Sequence, residues 1–260
     1  LRFEARRGKL HLVEMKVLYA IQGTGNGHLS RARDVIPILQ KHNVELDILV
    51  SGTQADIKIP YSIKYQLSGW SFIFGKKGGV DVWKTYLRTN SGRLQKEMRS
   101  IPVCEYDLVL NDFEPVSAWA CKLNEKDCVS FSHQAAVLSP KAPKPKKADP
   151  LGRLTTKQVG LHFKEYDTNI FTPIVRKEIR ESKKTIKEHY TVYLPSYSNE
   201  KLWNILSKIE DVKWDVFSKH TDTNFIRKNI SIRKINNEEF IKSMASSKGI
   251  LCGAGFETPA

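Results

Sequence analysis

The sequence predicts an α/β protein made of two strand–helix units, each built on a mainly parallel sheet. Three observations carry that expectation. Short apolar runs that read as buried strands alternate with stretches whose apolar residues recur at helical spacing. The alternation breaks at SPKAPKPKKADPLG (139–152), a Pro/Lys-rich segment unable to hold regular structure, and resumes near residue 185. At 260 residues the chain is long enough to bury two cores.

Residues 1–14, LRFEARRGKLHLVE, precede the first clean strand and lack the apolar centre of a signal peptide, so they are expected to lie outside the core. KVLYAI (16–21) reads as a buried strand. HLSRARDVIPILQKH (28–42) reads as a helix on the spacing of Leu29, Ala32, Val35, Ile36 and Leu39, with Pro37 expected to kink it or end it early. VELDILVSG (44–52) and SIKYQL (62–67) are further strands, GKKGGVD (75–81) a loop, and VWKTYLRTNSGRLQKEMRSI (82–101) helical in character. YDLVLND (106–112) and CVSFSHQ (128–134) are strands that end in polar residues. In the second unit HYTVYLP (189–195), KWDVFS (213–218), ISIRKI (230–235) and GILCGAG (249–255) read as strands. EKLWNILSKI (200–209) and NEEFIKSMASS (237–247) are the helices between them. The expected division is a leader over 1–14, a first unit over 15–175, a linker over 176–188 and a second unit over 189–260.

Open parallel sheets bind ligands beyond the carboxyl ends of their strands. Four polar clusters fall there, at 23–28, 51–53, 112–114 and 132–134, and are expected to share one edge although they lie far apart in sequence.

Composition narrows the class. The chain is 40% hydrophobic and 27% charged, ordinary for a soluble globular protein. No run of about 18 apolar residues exists to span a membrane. Cys104, Cys121, Cys128 and Cys252 form neither a CxxC pair nor a disulfide framework, which fits a reduced, cytoplasmic setting and disfavours a metal site of the structural zinc kind. The net charge is +14, and residues 141–190 hold 13 Lys/Arg against 6 Asp/Glu. No zinc-finger, RRM-like or zipper pattern accompanies it, so nucleic acid is a disfavoured partner. Residues 141–153 carry five Lys/Arg and one Asp, with Leu151 and Leu154 flanking Arg153, a composition suited to an anionic membrane surface and equally to a solvated loop.

The glycine loop in AIQGTGNGHLSRARDV (20–35) is the first candidate site. A dinucleotide fingerprint would need a third glycine where His28 stands and an acid where the second strand ends in Val50-Ser51-Gly52; a Walker A loop would need G-K-[ST]. What remains is a turn, with Gly25, Asn26 and Gly27 leaving room for a ligand, that presents His28 at a helix N-terminus. The positive end of the helix dipole favours neutral imidazole, the form a general base requires. A histidine that merely caps or packs at the turn is the competing reading, and the glycines tilt the balance toward function. An acid should orient the ring, and either Asp112 or Glu114 is placed to do so, although Asp112 also fits an N-cap. His133 and Gln134 are candidate substrate contacts or members of a loop hydrogen-bond network. Late in the chain, Gly253, Gly255, Phe256, Glu257 and Thr258 follow a strand and precede a helix start at Thr258-Pro259, so their amides are placed to meet a diphosphate. A unit that stops at its strand-to-helix turn is expected to continue.

GTGNGH early in one α/β unit and GAGFETPA late in a second resemble the glycosyltransferases of the GT-B fold. Among these, the sequence resembles the lipid-linked N-acetylglucosaminyltransferase of peptidoglycan synthesis, the diacylglycerol galactosyltransferases and, more remotely, the UDP-glucuronosyltransferases. FTPIVRKEI (171–179) resembles the interdomain linker of the first of these. DFEP, SHQAA and HYTVYLP resemble an uncharacterised bacterial and archaeal branch. The resemblance implies two Rossmann-like domains, the first binding an acceptor and the second a nucleotide-sugar, usually UDP-linked, without a bound metal or other cofactor. It implies that His28 is the base, matched by motif, and that Asp112 is its partner, matched by approximate position. It places the donor-ribose glutamate directly after Ala260, so Glu257 is not its equivalent. The expected activity is inverting, metal-independent transfer from a UDP-sugar to a hydroxyl on a lipid, glycan or small molecule, in the cytoplasm or peripherally at the inner membrane face. The alternatives are a nucleotide-sugar epimerase of the same fold and a non-enzymatic basic module that binds membrane or nucleic acid.

Overall fold

The structure, a computed structural model, describes residues 2–6, 9–24, 26–52, 59–70, 91–143 and 154–260. The chain divides into two compact units, the boundary falling between Ile174 and Val175.

In the first unit the central strand is β3 (Lys16–Gln22), preceded by β1 (Arg2–Arg6) and β2 (Lys9–Val13). β1 and β2 pair antiparallel with each other, Arg2 opposite Val13, and join neither larger sheet. Six consecutive residues of β3, Val17 to Gln22, are buried, as expected of a parallel strand covered on both faces. β4 (Glu45–Ser51) pairs with one side of β3 and β6 (Leu108–Asp112) with the other, all parallel. Outward lie β5 (Tyr65–Leu67) on the β4 side, and β7 (Cys128–Ser132), β8 (Lys157–Leu161) and β9 (Ile170–Phe171) on the β6 side. Register sets Gln22 against Ser51 and Ile21 against Asp112, so three of the polar strand ends meet at one carboxyl edge.

The helix α1 (Asn26–Lys41) buries Leu29, Ala32, Val35 and Ile36 against this sheet, where Tyr19, Ile21, Ile48 and Val50 receive them. Of the two outcomes expected of Pro37, an early end does not occur, since the helix continues past it. A proline removes the hydrogen bond to the carbonyl four residues back; here the Tyr61 hydroxyl donates to the Arg33 carbonyl at 3.5 Å, and the helix runs a further turn to Lys41. α2 (Ser91–Ser100), α3 (Pro115–Leu123) and the single turn α4 (His133–Ala136) complete the described α-helices of this unit, and Val103–Glu105 form a 3-10 turn. The expected strand over 62–67 is reduced to Tyr65–Leu67. The loop expected at 75–81, the first part of the helix expected over 82–101, and most of 141–153 lie outside the described residues.

In the second unit β10 (His189–Tyr193), β11 (Lys213–Ser218), β13 (Ile230–Lys234) and β14 (Gly249–Cys252) are parallel, and β12 (Phe225–Arg227) adds antiparallel at one edge. The order is β12-β13-β11-β10-β14. α6 (Asn199–Leu206) buries Leu202 and Leu206 with Val192, Trp214, Val216, Ile230 and Ile232. The stretch expected as a linker, 176–188, makes contacts within the second unit. It holds the short helix α5 (Lys177–Arg180), and buried Arg176 donates to Asn237 Oδ1 at 2.6 Å. Backbone bonds from Thr185 to Ala245 and from Lys187 to Ser246 tie it to α7 (Asn237–Ser246). Among the described residues no helix is long and apolar enough to cross a membrane.

Candidate functional site

The carboxyl edge of the first sheet is shaped by close backbone approach. Gly23 N–H donates to the Ser51 carbonyl at 2.6 Å, and a Cβ at Gly23 would stand 2.9 Å from that oxygen. Gly52 answers with φ +95°, a conformation that only glycine adopts readily. The two turns therefore nest, and α1 begins immediately after with Asn26, Gly27 and His28 in its first turn. Gly25 lies outside the described residues.

His28 Nδ1 stands 2.7 Å from Asp112 Oδ1, so two residues 84 positions apart meet at the end of β6. The imidazole also stacks on Phe113, ring centroids 6.0 Å apart and planes 11° from parallel. Phe113 has φ +57°. Residues 112 and 114 would share a face in an extended strand; the left-handed residue between them sends Asp112 toward α1 and Glu114 toward β4 and α3. Such a conformation costs roughly 1–2 kcal/mol in a non-glycine residue, borne here by the bonds both carboxylates make.

Asp112 is fully buried and held by three further donor atoms. Arg31 Nε donates to Oδ2 at 3.1 Å, Arg31 Nη2 to Oδ1 at 2.6 Å, and the Tyr19 hydroxyl to Oδ2 at 3.2 Å. Burial by itself pushes the Asp112 carboxyl up, but the charge of Arg31, then that of His28, and their hydrogen bonds outweigh it and hold the group down at about 2. Arg31 is itself fully buried. The sequence reading missed it, yet a signal was present. Positions 28, 31, 32 and 35 form one helical stripe, and an arginine inside an apolar stripe needs a buried carboxylate.

Of the two acids placed to orient His28, Asp112 meets the ring and Glu114 turns its carboxylate elsewhere. It is fully buried and caps α3, accepting from Val116 N at 2.8 Å and Ser117 N at 2.6 Å, while Ser51 Oγ donates to it at 2.6 Å. The N-cap envisaged for Asp112 thus belongs to Glu114, and Pro115 follows at the first helical position. Burial pushes the Glu114 carboxyl up, with the bonds from Ser117, Ser51 and Val116 pulling against it. Replacing Glu114 with alanine would leave the amides of Val116 and Ser117 short of an acceptor, while the Ser51 hydroxyl would keep only Gln22 Oε1 at 3.2 Å. A loss of about 1–3 kcal/mol is expected, read as a lower denaturant midpoint; an unchanged midpoint would show that the cap contributes nothing.

Ser132 caps α4, and His133 is buried with Nδ1 donating to the Leu161 carbonyl at 3.0 Å. His133 thus ties β7 to β8. Gln134 Oε1 is buried without a hydrogen-bond partner. In the second unit Gly253 and Gly255 stand in open space, where a Cβ would meet nothing within 4 Å, and residues 257–259 form a turn. Among the described residues, no group of three or more His, Cys, Asp and Glu side chains could hold a metal.

Two α/β units, each with a central parallel sheet and its glycine turns at the carboxyl edge, define the GT-B fold, and solved structures share it. The chain is similar to the glycosyltransferase SnogD from Streptomyces nogalater (12% identity, TM-score 0.55, covering 94% of this chain and 77% of that one). It is equally similar to the Methanocaldococcus jannaschii UDP-GlcNAc 2-epimerase, solved with UDP-GlcNAc and UDP (12%, 0.58, 94% and 79%). A third is the glycosyltransferase SsfS6 of Streptomyces sp. SF2575 (12%, 0.52, 94% and 78%). Among curated proteins none matches the chain in sequence. Residues 15–159 and 153–258 match the model of glycosyl transferase family 1, and the chain belongs to that family. It is a glycosyltransferase.

Proposed function

We propose that the protein transfers a sugar from a UDP-sugar to an acceptor hydroxyl with inversion at the anomeric carbon, and that His28 is the general base. The observation that carries this reading is the His28–Asp112 contact at the carboxyl edge of the first sheet. Asp112 is ionised and can only accept, so the imidazole proton sits on Nδ1 and Nε2 is left to take the proton of the acceptor hydroxyl. The hydroxyl oxygen then bonds to the anomeric carbon as the bond to the UDP oxygen breaks. UDP departs with the electron pair, its charge met by backbone amides of residues 253–258 in the second unit. Gly27 and Asn26 beside His28, and the buried, unpartnered Oε1 of Gln134, are the groups we assign to the acceptor. Gly253, Gly255, Phe256, Glu257 and Thr258 are those we assign to the donor. A lipid acceptor suits the basic composition of 141–153, and would place the enzyme at an anionic membrane face.

The test is UDP release from a panel of nucleotide-sugars, with and without hydroxylated acceptors, followed by the anomeric configuration of the product. Acceptor-dependent UDP release with an inverted product is expected. Conversion of the free nucleotide-sugar without acceptor would instead establish the epimerase reading, and a retained configuration would exclude a single displacement.

A further inference from the structure

We propose that Arg31 selects which nitrogen of His28 is the base: by clamping Asp112 as a charged acceptor it keeps the imidazole proton on Nδ1 and leaves Nε2 bare. This rests on the reading of His28 as the base. The geometry contains a choice that the His28–Asp112 contact alone does not settle. His28 Nδ1 has two neighbours with opposite demands, Asp112 Oδ1 at 2.7 Å, which can only accept, and Arg31 Nη2 at 3.0 Å, which can only donate. If Arg31 donated to Nδ1, the ring proton would move to Nε2 and no base would face an acceptor.

The fork of Arg31 resolves the choice. Its Nε and Nη2 already reach both oxygens of Asp112, at 3.1 and 2.6 Å, the bidentate arrangement in which a guanidinium binds a carboxylate most strongly. Both partners are fully buried, so each charge depends on the other. A bare Nδ1 at 2.7 Å from that carboxylate would set two lone pairs against each other; a protonated Nδ1 makes the hydrogen bond instead. Arg31 is therefore a positioning residue that acts through Asp112.

A second consequence concerns pH. Among the described residues, the groups that face the pair are Arg31 from α1, Tyr19 from β3 and Asp112 itself from β6, while Glu114 turns its carboxylate to Ser51 and the amides of α3. When the His28–Asp112 pair gives up its proton it is left with a net charge of −1. The guanidinium of Arg31 cancels that charge in the dry interior. Without Arg31 the pair should hold its proton to higher pH.

Two measurements test this. In the native protein, nitrogen chemical shifts of the His28 ring should show Nδ1 protonated and Nε2 bare in the neutral form; the opposite tautomer overturns the proposal, whatever the variants do. In Arg31→Gln the acid limb of kcat/KM should move up by about 1–3 pH units, whereas Arg31→Lys, which keeps the charge but not the fork, should leave the limb near its native position and lower kcat. A folded Arg31→Gln with an unmoved limb overturns the proposal, and should that variant not fold, the native-state tautomer still decides. His28→Ala separates the two levels: retained transfer there removes His28 as the base, while lost transfer together with an Nε2-protonated ring removes only the role given to Arg31.

Discussion

Replacing His28 with alanine is expected to lower kcat for sugar transfer by about 10²–10⁴-fold, the usual contribution of a positioned general base, with little change in stability. The two effects separate because of where the residue sits. Its side chain is 16% exposed, on the first turn of α1, while Asp112 keeps its bonds from Arg31 and Tyr19 when the imidazole is gone. A structural histidine would behave the other way, with the melting temperature falling and the rate per folded molecule holding. Donor binding should be unaffected in the variant, since the groups assigned to the donor are in the second unit. Full activity in a folded His28→Ala protein would end the base reading.

Asp112→Ala is expected to be the most damaging single change to the fold at this edge, costing about 3–5 kcal/mol. It strands the Arg31 guanidinium, fully buried, without its counter-charge. Adding Arg31→Met to Asp112→Ala should recover much of that loss, because removing both charges of a buried pair costs far less than removing one. Chemical denaturation of the three proteins at neutral pH measures the difference; equal midpoints for the single and double variants would show that the pair is not coupled. The pH dependence has a definite sign. The Asp112 carboxyl is held at about 2, below its ordinary 3.8, so its contribution to stability is present above about pH 4 and is lost as the pH falls toward 2. A shift of this size corresponds to about 2 kcal/mol, and that acid-side loss should be missing from the double variant.

The fold was legible wherever one face of one element carried the information. KWDVFS is the strand Lys213–Ser218, the apolar spacing from Leu29 to Ile36 is the buried face of α1, and the alternation of strand and helix is the parallel topology. Elements held mainly by their neighbours were not legible. Lys157–Leu161 and Ile170–Phe171 carry little apolar pattern and are strands because β7 offers a partner edge on which they add in turn. Pro37 misled because the compensating hydroxyl of Tyr61 is 28 residues from the carbonyl it serves.

The same division runs through the candidate site. The residue types, the glycine turn before His28, and the placing of Asp112 at a strand's carboxyl end are local facts, readable along the chain without its partners. Which carboxylate meets the histidine was decided only in three dimensions. Asp112 and Glu114 are two residues apart and chemically near-equivalent, and the left-handed backbone at Phe113 separates them, one to the imidazole and one to the cap of α3. Arg31, too, became legible only through its partner. A charge on a helix's apolar face acquires a role from whatever charge the tertiary structure brings against it, and that partner comes from a strand 81 residues away.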